Sequence, residues 1–181
     1  MTSHIKESKI QYKIKQHYDN GGNVFELDGD IFLTQCEVKL GSNNRVDIAI
    51  THGSKEKPQV TIIEVKSENI RSSHIAQVCR YKKSIENSGL FNSISKFNYI
   101  IIGKRPKSIN ATCLDPYYIS SCIDDLSIFH YSPFEDSGDI FISGFMGVES
   151  DPFKVISISG GRNEKINCDE MIATFKNQIK I

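Results

Sequence analysis

Near the amino terminus Ile10, Ile14 and Tyr18 recur every four residues while Lys6, Lys9 and Lys13 form a second stripe, a period that predicts a helix over residues 3–18. Asn20-Gly21-Gly22 ends it. Two short apolar runs, Val24–Leu27 and Ile31–Leu33, then flank Asp28-Gly29, a spacing that predicts a tight antiparallel hairpin. The second strand is expected to continue through Cys36–Leu40 to a turn at Gly41–Asn44, followed by a third strand over Arg45–Ile50. After a polar loop at Gly53–Pro58 comes Val60–Lys66, whose first half is apolar at successive positions, as in a strand covered on both faces. Over Ser73–Asn87 the residues Ile75, Val78, Cys79 and Ile85 share one helical face, and Gly89 closes the segment. Phe97–Ile102 is another buried strand, so the chain from residue 60 reads strand, helix, parallel strand with a crossover.

The last third is patterned more weakly. It predicts a short helix near 116–122, strands near 126–131, 139–145 and 153–159, and a final helix over about 168–180. Asn167 followed by Glu170 suits that helix start, and Met171, Ile172, Phe175 and Ile179 give it an apolar face. No internal repeat or linker interrupts the chain. At 181 residues this predicts one α/β domain, with its core at about 3–131 and a carboxy-terminal extension over 132–181.

Composition narrows the function classes. The chain is 39% hydrophobic and 24% charged, and no segment reaches the roughly 18 to 20 apolar residues that cross a bilayer. No membrane partner is expected, and without an apolar leader the expected compartment is the cytoplasm. Five cysteines without a CxxC spacing predict reduced thiols rather than disulfides or a structural zinc. Lys plus Arg and Asp plus Glu are equal at 22 each, so a polyanion must be met by a local basic surface. The five histidines lack metal-ligand spacing, and neither a Gly-x-Ser-x-Gly motif nor a phosphate-cradling glycine loop is present. Neither a serine hydrolase nor a nucleotide-driven motor is expected.

Candidate chemistry lies where the strand pattern turns polar. Strand alternation puts Val46, Ile48 and Ile50 on one face and Arg45, Asp47 and Ala49 on the other. Glu64 and Lys66 likewise share a face, opposite Ile63 and Val65. A bare Glu-Val-Lys is common by chance. Its position at the polar end of an apolar strand, after an Asp-bearing strand and before an amphipathic helix, gives it weight. Two carboxylates and a lysine are the set that a hard divalent cation and phosphodiester hydrolysis call for.

Arg45-Val46-Asp47-Ile48-Ala49-Ile50 followed by Ile62-Ile63-Glu64-Val65-Lys66 resembles the core of the PD-(D/E)XK nuclease superfamily, nearest to small RecB-like and NucS-like catalytic domains. The likeness covers residues 3–103, and Val46 stands where the family's proline does. It implies a restriction-endonuclease-like fold, a mixed central β-sheet flanked by helices with a carboxy-terminal strand and helix extension. It also implies a magnesium site, with manganese able to substitute, held by Asp47, Glu64 and the backbone carbonyl of Val65. Lys66 would then position or help deprotonate the attacking water and stabilise developing phosphorane charge. Gln77-Val78-Cys79-Arg80-Tyr81 reproduces the family's Gln-x-x-x-Tyr, which brings Gln77 and Tyr81 into the catalytic set. Glu7, on the sheet-facing stripe of the first helix, is the candidate for a further metal ligand. Arg45, Arg80, Lys104 and Arg105, with Lys107 and the first lysine stripe, are candidates for phosphate contacts.

The activity implied is that of a magnesium-dependent deoxyribonuclease, with DNA favoured over RNA as partner and a homodimer where both strands of a duplex are cut. The rival reading is a nucleic-acid-binding or assembly protein that keeps the fold without the activity.

Overall fold

β-Branched residues crowd the centre of the chain, and they build its sheet. In a computed structural model that describes residues 5–40, 44–89, 91–105, 120, 122–133, 140–144 and 154–156, the elements run α1 (Glu7–Asp19), β1 (Asp30–Leu40), β2 (Asn44–Gly53), β3 (Pro58–Val65), α2 (Ser72–Ser88), β4 (Lys96–Lys104), β5 (Leu126–Pro133), β6 (Ile140–Gly144) and β7 (Lys154–Ile156). The strands form one mixed sheet in chain order. The β3–β4 and β4–β5 pairs are parallel and the others antiparallel. β6 and β7 therefore prolong the same sheet beyond the core expected from the sequence.

Each face of the sheet carries a helix. Ile10, Ile14 and Tyr18 of α1 pack with Ile48, Ile50, Ile63 and Val65. Ile75, Val78, Tyr81 and Ile85 of α2 pack on the reverse face with Val60, Ile62, Tyr99 and Ile101. β3 thus feeds both layers, as its unbroken apolar run predicts. Burying a Val or Ile side chain of this kind stabilises by about 1.5–3 kcal/mol, so these two layers carry most of the fold's apolar free energy. Gly89 ends α2 in the left-handed conformation, with φ 62°.

Several expectations are corrected. Residues 24–27 form no strand, because Asn23 staples them into a loop: its side chain accepts from Leu27 N–H and donates to Leu27 O, both at 2.9 Å. The Tyr18 hydroxyl meanwhile takes Phe25 N–H at 3.1 Å. Gly29 bridges Gly53 instead of turning a hairpin, and a Cβ there would stand 2.5 Å from Gly53 O. α1 starts at Glu7 rather than residue 3, and Lys13, expected among the phosphate contacts, is 1% exposed. Cys79 is only partly buried; Tyr81 takes its place on the buried face of α2.

Val46 does not share a face with Ile48 and Ile50. The pair Cys36 and Ile48 lies in the α1 layer, whereas the next pair but one, Val38 and Val46, lies in the α2 layer. Between them Glu37 adopts φ 58°, a left-handed conformation that turns the ribbon over at Glu37 and Asp47. The expected helices at 116–122 and 168–180 lie outside the described residues, apart from 120 and 122.

Candidate functional site

The ladder between β2 and β3 runs from Gly53 and Pro58 to Ile48 and Ile63, one pair short of Asp47 and Glu64. The β3–β4 ladder continues through Val65 and Ile102. The strands thus part on one side only, and Val65 N–H, left without a β2 partner, is taken by Asp47 Oδ2 at 2.6 Å. A side chain replaces a backbone acceptor, and this fixes the Asp47 carboxylate one residue from Glu64.

Glu64 is 2% exposed, on the α2 face as alternation predicts. A buried carboxylate is costly unless donors surround it, and Glu64 has three. Lys66 Nζ and Gln77 Nε2 donate to its Oε1, the latter at 2.6 Å, and the Tyr81 hydroxyl lies 3.0 Å from its Oε2. Gln77 also donates to the Tyr81 oxygen, and the one Tyr81 proton is shared between Glu64 and the Arg45 carbonyl, 2.7 Å away, which ties α2 to β2. Gln77 and Tyr81 stand one turn apart, so one helical face delivers both.

The electrostatics are strained. Burial, then the neighbouring Glu64 charge, pushes the Asp47 carboxyl up to about 8, against the lowering by Val65 N–H and Lys66. Burial also raises Glu64, against the Lys66 charge and its donors. Burial opposes the Lys66 charge, but Glu64 and Asp47 outweigh it and hold its pKa above the usual lysine value. One ammonium faces the buried Glu64 and the half-buried Asp47, with the Glu7 charge felt at both Glu64 and Lys66, so the carboxylate charge is incompletely matched and both carboxyls hold their protons more tightly than usual. A hard divalent cation fits this donor set: magnesium takes one or two carboxylates and keeps several waters. Among the described residues no three His, Cys, Asp or Glu side chains gather into a metal-holding group. Beyond Asp47 and Glu64, ligands would come from the Val65 carbonyl and water.

The remaining candidates fall into different places. Glu7 lies beside the site, but its Oε1 accepts Ser67 N–H at 2.8 Å and the Ser67 hydroxyl at 3.2 Å. Arg45 turns to Glu37, with Nε 2.8 Å from Oε2. Arg80 is exposed on α2, Lys104 is half-buried at the end of β4, and Arg105 N–H bonds the Tyr131 carbonyl. The four basic side chains do not join the Asp47, Glu64 and Lys66 cluster, whereas the Glu7 charge raises both Glu64 and Lys66. Lys107 lies outside the described residues. Sequence reasoning missed Glu37, whose charge also raises Asp47, and Ser67 and Tyr131, which meet only through tertiary structure. Glu37 carried a faint signal as a charge opposite Asp47 in a buried strand pair. A cavity of about 380 Å³ lined by Phe25, His52, Lys96, Asn98 and Phe129 lies elsewhere, and none of the cluster lines it.

No family model and no characterised protein matches the chain. Among the described residues no helix is long and apolar enough to cross a membrane.

Proposed function

We propose that the chain is a cytoplasmic, magnesium-dependent nuclease of the PD-(D/E)XK type that hydrolyses phosphodiester bonds in DNA. One observation carries the reading: where β2 parts from β3, Asp47, Glu64 and Lys66 meet at a single strand end, with Gln77 and Tyr81 of α2 bonded to Glu64. Asp47, Glu64 and the Val65 carbonyl would hold magnesium, or manganese in its place. When bound, the ion supplies charge neutralisation at the phosphate and acidifies a water.

The protein's own groups do the rest. Lys66 remains cationic and offers its ammonium to the charge that develops on the phosphate oxygens. Gln77 and Tyr81 fix the rotation of the Glu64 carboxylate, so that its oxygens need not reorganise during reaction. Carboxylates crowded at one strand end cost stability, a cost that a bound cation would offset. Severing both strands of a duplex with one such site calls for two copies.

The test is incubation of the purified protein with labelled single-stranded, duplex and branched DNA and with RNA, in magnesium, manganese or chelator. Metal-dependent cleavage of DNA is expected. Cleavage that survives chelation, or none on any substrate, contradicts the reading.

A further inference from the structure

The chain just beyond Lys66 is held from several sides. Lys66 N–H bonds Ile102 O at 2.8 Å and Lys104 N–H bonds Glu68 O at 2.9 Å, so the segment keeps following β4 after β3 has ended. Gly103 makes room for it: a Cβ there would stand 2.4 Å from Ile70 Cγ1. Between these two backbone bonds sits Ser67. Glu7 of α1 accepts its N–H and its hydroxyl, and Tyr131 of β5 donates to its carbonyl at 3.0 Å. Tyr131 is 1% exposed, and burial together with the Glu7 charge raises its hydroxyl to about 12, which keeps it a donor.

Lys66 needs such support. It lies one residue past β3, and its long side chain has four torsions of its own, so the direction in which the ammonium enters the site depends on the backbone at 66 and 67. Glu7 Oε1 is tied to the backbone N–H of Ser67, which no side-chain rotation can withdraw, whereas both donors on Glu64 Oε1 are side chains free to turn away. We infer that Glu7, Ser67 and Tyr131 form a positioning brace that aims Lys66 into the site, and that Glu7 acts through Ser67 rather than as a metal ligand. This inference rests on the nuclease reading above.

The experiment compares Glu7→Ala, Glu7→Gln and Tyr131→Phe with the unaltered protein by three readouts. These are amide hydrogen exchange at Lys66 and Ser67 without metal, magnesium affinity by calorimetry, and kcat against KM on DNA. Glu7→Ala is expected to speed exchange at Ser67 and lower kcat about 10- to 100-fold, the range for a misplaced catalytic group, with KM and magnesium affinity unchanged. Glu7→Gln keeps an acceptor oxygen and should restore both exchange and kcat to within about threefold. Tyr131→Phe should lower kcat about threefold to tenfold while leaving KM unchanged.

Two results overturn the inference: Glu7→Gln as slow as Glu7→Ala with weakened magnesium binding, or native exchange at Ser67 in all three variants. If the unaltered protein cleaves no nucleic acid, the nuclease reading fails by itself and the exchange data alone decide whether the brace exists.

Discussion

The β2–β3 pair buries a titratable cluster at each end, and the two are built on opposite plans. At the end near the connecting loop, His52 is 1% exposed with both ring nitrogens matched, Nδ1 to Asp28 O at 2.8 Å and Nε2 to Thr61 Oγ1 at 2.9 Å. Burial lowers its pKa and the ring remains neutral at physiological pH. At the other end the strands part, and the single ammonium of Lys66 faces the buried Glu64 and the half-buried Asp47 without balancing them. The first cluster is a finished hydrogen-bond set that pins a strand. The second carries carboxylate charge that its one ammonium does not match, and both carboxyl pKa values are raised. Opposite electrostatic completion at the two ends of one strand pair separates a structural polar group from one poised for chemistry.

The sharpest way to break this contrast is Asp47→Asn. The amide keeps an acceptor for Val65 N–H but removes the repulsion with Glu64, so cleavage should fall by about a thousand-fold while the metal-free protein melts higher than wild type at pH 8. Equal activity, or a lower melting temperature, would make Asp47 a structural residue.

Next come Gln77 and Tyr81, which share Glu64 unequally. Gln77→Ala removes one orienting donor and should slow single-turnover hydrolysis by roughly ten- to a thousand-fold with substrate binding little changed. Tyr81→Ala also deletes a buried ring and should cost about 3–5 kcal/mol of stability, read from denaturant melts. A silent Gln77→Ala would confine the site to Asp47, Glu64 and Lys66.

His52→Ala tests the finished end. It should cost about 1–3 kcal/mol through the unmatched Thr61 hydroxyl and the lost ring, with kcat unchanged. A large drop in kcat would show that the two ends are coupled.

The last test concerns pH. The unfolded chain releases the Asp47 proton near its ordinary carboxylate value, whereas the folded chain holds it to about 8. Its contribution to stability is therefore complete below the unfolded value and is lost as pH rises towards 8. Melting temperatures of the metal-free protein should fall across that window, and Asp47→Asn should flatten the slope.

Much of this was legible in the chain. The unbroken apolar run of β3, the helical spacing of Ile75, Val78 and Ile85, and the alternation of Glu64 and Lys66 are local signals that packing reinforces. Glu64, Gln77 and Tyr81 meet as that spacing predicts. The loop at 23–27 was misread because a run of Val, Phe and Leu looks the same whether it packs as a strand or as a loop stapled by Asn23 and Tyr18. The turnover at Glu37 and Asp47 was invisible, since a left-handed φ at a glutamate has no composition signal. Ser67 and Tyr131 are 64 residues apart, and only the crossover through α2 and β4 brings them together.

The most direct measurement of the central claim is calorimetric titration of magnesium into the metal-free protein at pH 7, repeated in buffers of different ionisation enthalpy and with Asp47→Asn. The predicted result is about one ion per chain, with proton release as the raised carboxyls ionise, and binding at least about tenfold weaker in Asp47→Asn. Absence of binding at about 10 mM magnesium, well beyond cellular demand for a working site, or equal affinity in the two proteins, would contradict it.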